Sequence, residues 1–96
     1  MKNKMNRLTQ RSQLQRGFVI RDIARAYAPN PSAIYTRKEL QEKCKNIILH
    51  SGWLRELQHY GILQCQRNGR WSATYSFLPK SKAEFEIKSK RFVGLG

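Results

Sequence analysis

Apolar positions recur along this chain with two different periods, and the switch between them falls near residue 61. Val19, Ile23, Ala26 and Tyr27 stand at i, i+4, i+7 and i+8, which is one face of a helix. Leu14 and Phe18 extend that stripe one turn back, while Arg21, Asp22 and Arg25 fall on the other side. Pro29-Asn30-Pro31 ends the helix, because proline has no N–H to donate and pushes the residue before it out of the helical region. Ala33, Ile34 and Tyr35 then allow a short strand. Thr36-Arg37-Lys38-Glu39 matches a capping box, so a second helix starts there, with Leu40 and Cys44 turned to the core. Asn46 is a turn and a cap for a third, longer helix over residues 47–60. In it Ile47, Leu54 and Leu57 form one stripe, with Ser51 small enough to sit between them, and Leu49, Trp53 and Tyr60 form a second. Gly61 is the stop.

Beyond Gly61 the period shortens. Residues 62–67 and 70–77 are strand-like and flank Asn68-Gly69, a strong short-range hairpin signal because both turn residues must take positive φ. A two-residue turn opposes Arg67 to Arg70, Gln66 to Trp71, Gln64 to Ala73 and Ile62 to Tyr75. Trp71, Ala73, Tyr75, Phe77 and Ile62 then share a face against the helices, and the two arginines share the opposite face at the tip. Pro79 closes the hairpin. Phe85, Ile87, Phe92, Val93 and Leu95 make the remainder too apolar for a plain linker, so it adds a strand over residues 84–88 or contacts a second subunit. The chain therefore divides into a basic arm (1–15), an α+β domain (16–78) of three helices and a hairpin, and a basic tail (79–96).

Charge narrows the partners. The 96 residues carry 19 Lys and Arg against 6 Asp and Glu, a formal net charge of +13. An excess of that size favours polyanions. It is spread over the whole chain: Lys2, Lys4, Arg7, Arg11 and Arg16 come before any acid, and five more bases follow Pro79. No apolar run approaches the ~20 residues that span a bilayer, and no stretch of about 7–15 apolar residues marks a secretory leader. Cys44 and Cys65 are isolated, with no histidine at metal spacing, which fits a reduced, cytoplasmic protein without metal or cofactor.

The run Tyr35-Thr36-Arg37-Lys38-Glu39-Leu40, the turn at Lys45-Asn46, and Leu54-x-x-Leu57-x-x-x-Gly61-Ile62-Leu63 resemble the small winged-helix transcriptional regulators. The likeness covers roughly residues 17–78. It implies a winged helix: a three-helix bundle with a C-terminal hairpin wing and a short strand before the second helix. It also implies that helix 47–60 reads duplex DNA and that the protein is a bacterial or phage-encoded regulator acting by site occupancy. Lys45, Asn46, Ile48, His50, Gly52 and Arg55 are then the groove-facing positions, with Asn46 suited to adenine and Arg55 to guanine. Arg67, Asn68 and Arg70 form the wing contact, and Arg37, Lys38 and Lys43 meet phosphates. Each residue also has a plainer reading: Asn46 as a helix cap, His50 as a surface histidine, the wing arginines as a solvated turn. Ile48, Leu49 and Trp53 make the helix unusually apolar for a groove reader, which keeps a protein-binding role open. An RNA-binding or ribosome-associated winged helix is the alternative, with Trp53 or Trp71 as stacking platforms. A homodimer, joined through Leu14, Phe18 or the apolar tail, would place two helices one DNA turn apart. Catalysis is not expected. The six acids form no acid–base pair, and the sequence holds no Gly-rich phosphate loop, His-Glu-x-x-His or Gly-x-Ser-x-Gly.

Overall fold

The computed structural model describes residues 9–95, so Lys2, Lys4 and Arg7 of the expected arm lie outside it. The described chain is α+β: four helices and one three-stranded antiparallel sheet. In order they are α1 (Gln10–Tyr27), β1 (Ile34–Thr36), α2 (Arg37–Lys43), α3 (Ser51–His59), β2 (Leu63–Arg67), β3 (Ala73–Phe77) and α4 (Lys82–Val93). β3 lies in the middle of the sheet, in the order β1-β3-β2.

Local chemistry sets most boundaries. Thr9 caps α1 by accepting from the Ser12 N–H. The Thr36–Glu39 capping box is complete: Thr36 Oγ1 accepts from the Glu39 N–H, and Glu39 Oε1 accepts from the Thr36 N–H at 2.9 Å. Gly61 ends α3 at φ +75°, a left-handed turn in which the Ile62 N–H reaches back to the Leu57 carbonyl at 2.9 Å.

The core collects Val19, Ile20, Ile23 and Tyr27 of α1, Leu40 and Cys44 at the α2 end, Leu54 and Leu57 of α3, and Ile62, Leu63 and Tyr75 of the hairpin. Burial pushes the Cys44 thiol up to about 11. An aromatic column crosses the layers. Tyr27 lies 5.1 Å from Tyr35 and 5.2 Å from Phe77, and Phe77 lies 5.7 Å from Phe85 on α4. The Tyr27 hydroxyl donates to the Tyr75 carbonyl at 2.7 Å. Leu14 and Phe18 do not join this core. They stand on the outer side of α1, at 57% and 54% exposure, and the Arg21 guanidinium lies over the Phe18 ring.

Residues 82–93 are helical, which corrects the expected strand over residues 84–88. Ser81 caps α4, and Gly94 at φ +95° ends it. Phe92 is fully buried, 6.0 Å from Trp53 and 5.7 Å from Tyr60. Arg16 closes the same corner. It pairs with Glu56, donates to the Phe92 carbonyl at 2.8 Å, and stacks on the Trp53 and Phe92 rings. That guanidinium, counted from sequence among the charges of the N-terminal segment, is spent inside the fold.

The hairpin register differs from the one a two-residue turn would give. Arg67 pairs with Ala73, Cys65 with Tyr75 and Leu63 with Phe77, so residues 68–72 form a five-residue loop. The shift sorts like with like. Apolar pairs Leu63–Phe77 and Cys65–Tyr75 share the inner face, and polar pairs Gln64–Ser76 and Gln66–Thr74 share the outer one. It also takes Arg70 out of the ladder, where it would have opposed Arg67. Arg67, paired with Ala73, lies on the face of Cys65 and Tyr75 and not on the opposite face as expected. Trp71 leaves the packed face entirely and stands 90% exposed.

Candidate nucleic-acid interface

Residues 44–50 are where the structure departs furthest from the expected third helix. Ile47, Ile48 and Leu49 have helical spacing, yet α3 begins only at Ser51. The Gln41 side chain accounts for this. Its Nε2 donates to the carbonyls of Cys44 at 3.0 Å and Ile47 at 2.8 Å, and its Oε1 accepts from the Leu49 N–H at 2.6 Å. One amide thus satisfies three backbone groups that a helical turn would otherwise have paired. Asp22 holds the same segment from below. It is 5% exposed, and its carboxylate accepts from the Asn46 N–H at 3.3 Å and Nδ2 at 3.4 Å. Asp22 is therefore buried and not on the solvent side of α1 as expected, and Asn46 is anchored to α1 and does not cap α3. Arg37 Nη2 ties the far end by donating to the Leu49 carbonyl at 3.1 Å.

The capping role falls to His50. Its Nδ1 accepts from the Trp53 N–H at 3.3 Å, and the imidazole stacks on the Trp53 ring at 5.5 Å. Gly52 is needed beside it, since a Cβ there would approach His50 Cε1 to 2.9 Å. The outward stripe of α3 is polar: Ser51, Arg55, Gln58 and His59 are all exposed, while Leu54 and Leu57 face inward.

Between this segment and the hairpin loop runs an open groove of about 960 Å³. Six of the sequence-selected positions line it: Arg37 and Lys38 from the first turn of α2, Ile48 and His50 from the pinned segment, Arg67 and Arg70 from the hairpin. Its floor is the apolar ring of Tyr75. The tyrosine hydroxyl's pKa is raised, first by desolvation and then by the neighbouring Cys65, while Arg37 and Arg67 pull against that rise. Lys45, Asn46, Arg55 and Asn68 do not line the groove. Arg55 faces solvent on α3. Asn68 spends its side chain on Thr74 Oγ1 at 3.2 Å and its N–H on the Ser72 carbonyl at 2.9 Å, which closes the loop at its base. Lys43 lies over the Tyr35 ring in a neighbouring depression with Lys45, Glu39 and Glu42, the last of which also lines the groove.

Sequence reasoning missed Gln41, Gln58 and His59, set Asp22 on the solvent side of α1, and turned Ser51 inward between Ile47 and Leu54, where the later start of α3 leaves it exposed. No local pattern announces Gln41, whose importance lies in backbone groups three to eight residues away. The α3 stripe becomes readable only once the helix start is fixed at Ser51.

Replacing Gln41 by Ala leaves the Leu49 N–H and two carbonyls without their partner. The expected cost is about 1–3 kcal/mol of stability. Denaturant titration together with faster exchange of the Leu49 amide checks it; unchanged exchange would mean that the amide does not hold the segment.

Among the described residues no His, Cys, Asp or Glu cluster could hold a metal, and no helix is long and apolar enough to cross a membrane. No protein-family model matches the chain, nor does any curated protein or solved structure.

Proposed function

We propose that this protein is a winged-helix module that binds double-stranded DNA and acts as a small transcriptional regulator by occupying its site. The observation that carries the reading is the groove. Two segments that are distant in sequence bring Arg37, Lys38, Arg67 and Arg70 to one concavity beside the start of α3, where His50 and one acid, Glu42, complete the polar lining. Cations gathered in this way suit a phosphate backbone, and together they give a contact track where a lone basic tail would give a diffuse cloud.

The elements support the same reading. The sheet order β1-β3-β2, with a hairpin following two helices, fits a winged-helix layout. α3 gives nine residues of helix with an exposed stripe, and a helix about 10–12 Å across fits a major groove about 12 Å wide. In this reading the stripe Ser51, Arg55 and Gln58 meets base edges, with Arg55 suited to guanine, while Gln58, whose Nε2 donates to the Leu54 carbonyl at 3.0 Å, offers its Oε1 as an acceptor. The loop 68–72 meets the backbone or the minor groove.

The test is selection of bound sequences from a random duplex pool, followed by a salt titration of the enriched site. A defined half-site is expected to emerge, and its symmetry would report whether two copies bind. If about six to eight phosphates are neutralised, log K falls against log salt with a slope of roughly −5 to −7. A slope shallower than about −2, or displacement by structured RNA at lower concentration than by duplex DNA, would overturn the assignment.

A further inference from the structure

Trp71 is the largest exposed side chain among the described residues, and the fold makes no structural use of it. It is 90% exposed, although a tryptophan normally buries most of its ring. It sits in a loop whose base is closed by the Asn68–Ser72 backbone bond and the Asn68–Thr74 side-chain bond. Cations flank it. The Arg70 guanidinium lies 5.8 Å from the ring centroid, Arg67 stands at the foot of the loop, and all three line the groove. Across that groove Ile48 is 79% exposed, so the rim combines positive charge with two bare apolar groups.

We propose that Trp71 is a wedge: its ring enters a base step of the bound duplex while Arg67 and Arg70 hold the phosphates on either side. The inference rests on the duplex-DNA reading above and adds a mode of engagement to it. The chemistry is complementary on both counts. Flat aromatic surface finds its match in the π-face of a base, and the adjacent guanidiniums find theirs in the backbone. Apolar side chains inserted from a minor-groove contact unstack a step and bend the helix axis. A flexible pyrimidine–purine step is the one that yields most easily, so the preferred site should contain TA or CA at the position under the loop.

The experiment compares the wild-type protein with Trp71→Ala and Trp71→Phe on a duplex carrying fluorescent dyes at its two ends. A Trp53→Phe protein, in which Trp71 is the remaining tryptophan, reports on the ring itself. On duplex binding, the Trp71 emission is expected to be quenched and the end-to-end distance to shorten. Trp71→Ala is expected to bind about 10-fold more weakly, within the range for removal of one aromatic stack on a base. It should do so without bending the duplex and with the salt slope unchanged, because every phosphate partner is kept. Trp71→Phe retains part of the bend. If Trp71→Ala binds and bends the duplex as the wild type does, the wedge is overturned and the duplex reading stands. If quenching occurs on single strands or RNA but not on duplex, stacking on an unpaired base replaces the wedge. If the wild type binds no duplex at all, both readings fall together.

Discussion

The Arg67→Ala/Arg70→Ala double variant is expected to bind duplex DNA about 10- to 100-fold more weakly than the wild type, with a salt slope shallower by about 2. Both guanidiniums lie on the hairpin side of the groove, and neither is engaged in a salt bridge among the described residues. Each arginine that neutralises a phosphate also releases a counterion. Removing both takes away attraction and counterion release together, and this is why affinity and slope must change in step. A control isolates position from net charge. Lys90→Ala/Arg91→Ala also removes two exposed cations, from the last turn of α4, which contributes nothing to the groove. It is expected to weaken binding by less than about 3-fold, through the general field alone. Equal losses in the two variants would mean that the charge acts as a cloud and that the groove is not the contact surface. Thermal unfolding of both variants should stay close to the wild type, since exposed substitutions of this kind rarely exceed about 0.5 kcal/mol.

Phe92→Ala is expected to cost about 3–5 kcal/mol of stability, as truncation of a fully buried aromatic does. A domain of this size has about 5–15 kcal/mol in total, so the variant should be partly unfolded well below the wild-type melting temperature. The reason is specific to this corner. The Phe92 ring is enclosed by Trp53, Tyr60 and the Arg16 guanidinium, and its removal opens a void against α1 and α3 at once. Ile87→Ala on the same helix is the comparison, because Ile87 is 58% exposed; its cost should stay below about 1 kcal/mol. Denaturant titration measures both. A near-zero cost for Phe92→Ala would mean that residues 82–93 hang from the body as an appendage and do not help to build it.

Much of the body was legible in sequence because its signals are local. The Thr36–Glu39 box, the strand at Ile34, the glycine stop at Gly61 and the hairpin around Asn68-Gly69 each depend on residues within a few positions of one another. Three features were not, and each turns on a contact that is remote in sequence. Apolar spacing at Ile47 to Leu49 mimics a helix, and only the Gln41 amide and the Asp22 carboxylate decide otherwise. The Asn-Gly pair signals a turn but not its length; the length follows from matching apolar and polar residues across β2 and β3. The last helix had its signature in view, with Ser81 three residues before Glu84 and Gly94 beyond the end, but its buried face is thin. Phe85 and Phe92 are seven residues apart, with Lys88 and Ser89 on the turn between them. Lys88 is taken up by Glu84 and the Gly61 carbonyl, and Ser89 donates to the Phe85 carbonyl. The groove itself could be read only residue by residue. Its six sequence-selected positions were chosen for charge or for place on a presumed helix, and folding rather than spacing put them side by side.

The grip of Arg16 on the last turn of α4 has a topological consequence. The C-terminal end of α1, Ala24 to Ala28, borders the start of α4, and Arg16 further up α1 grips the last turn of α4. The polypeptide therefore enters and leaves this body at the same edge. A bridge between residues 9 and 95 would run past the two turns of α1 that precede Arg16, about 10 Å of helix at 1.5 Å per residue.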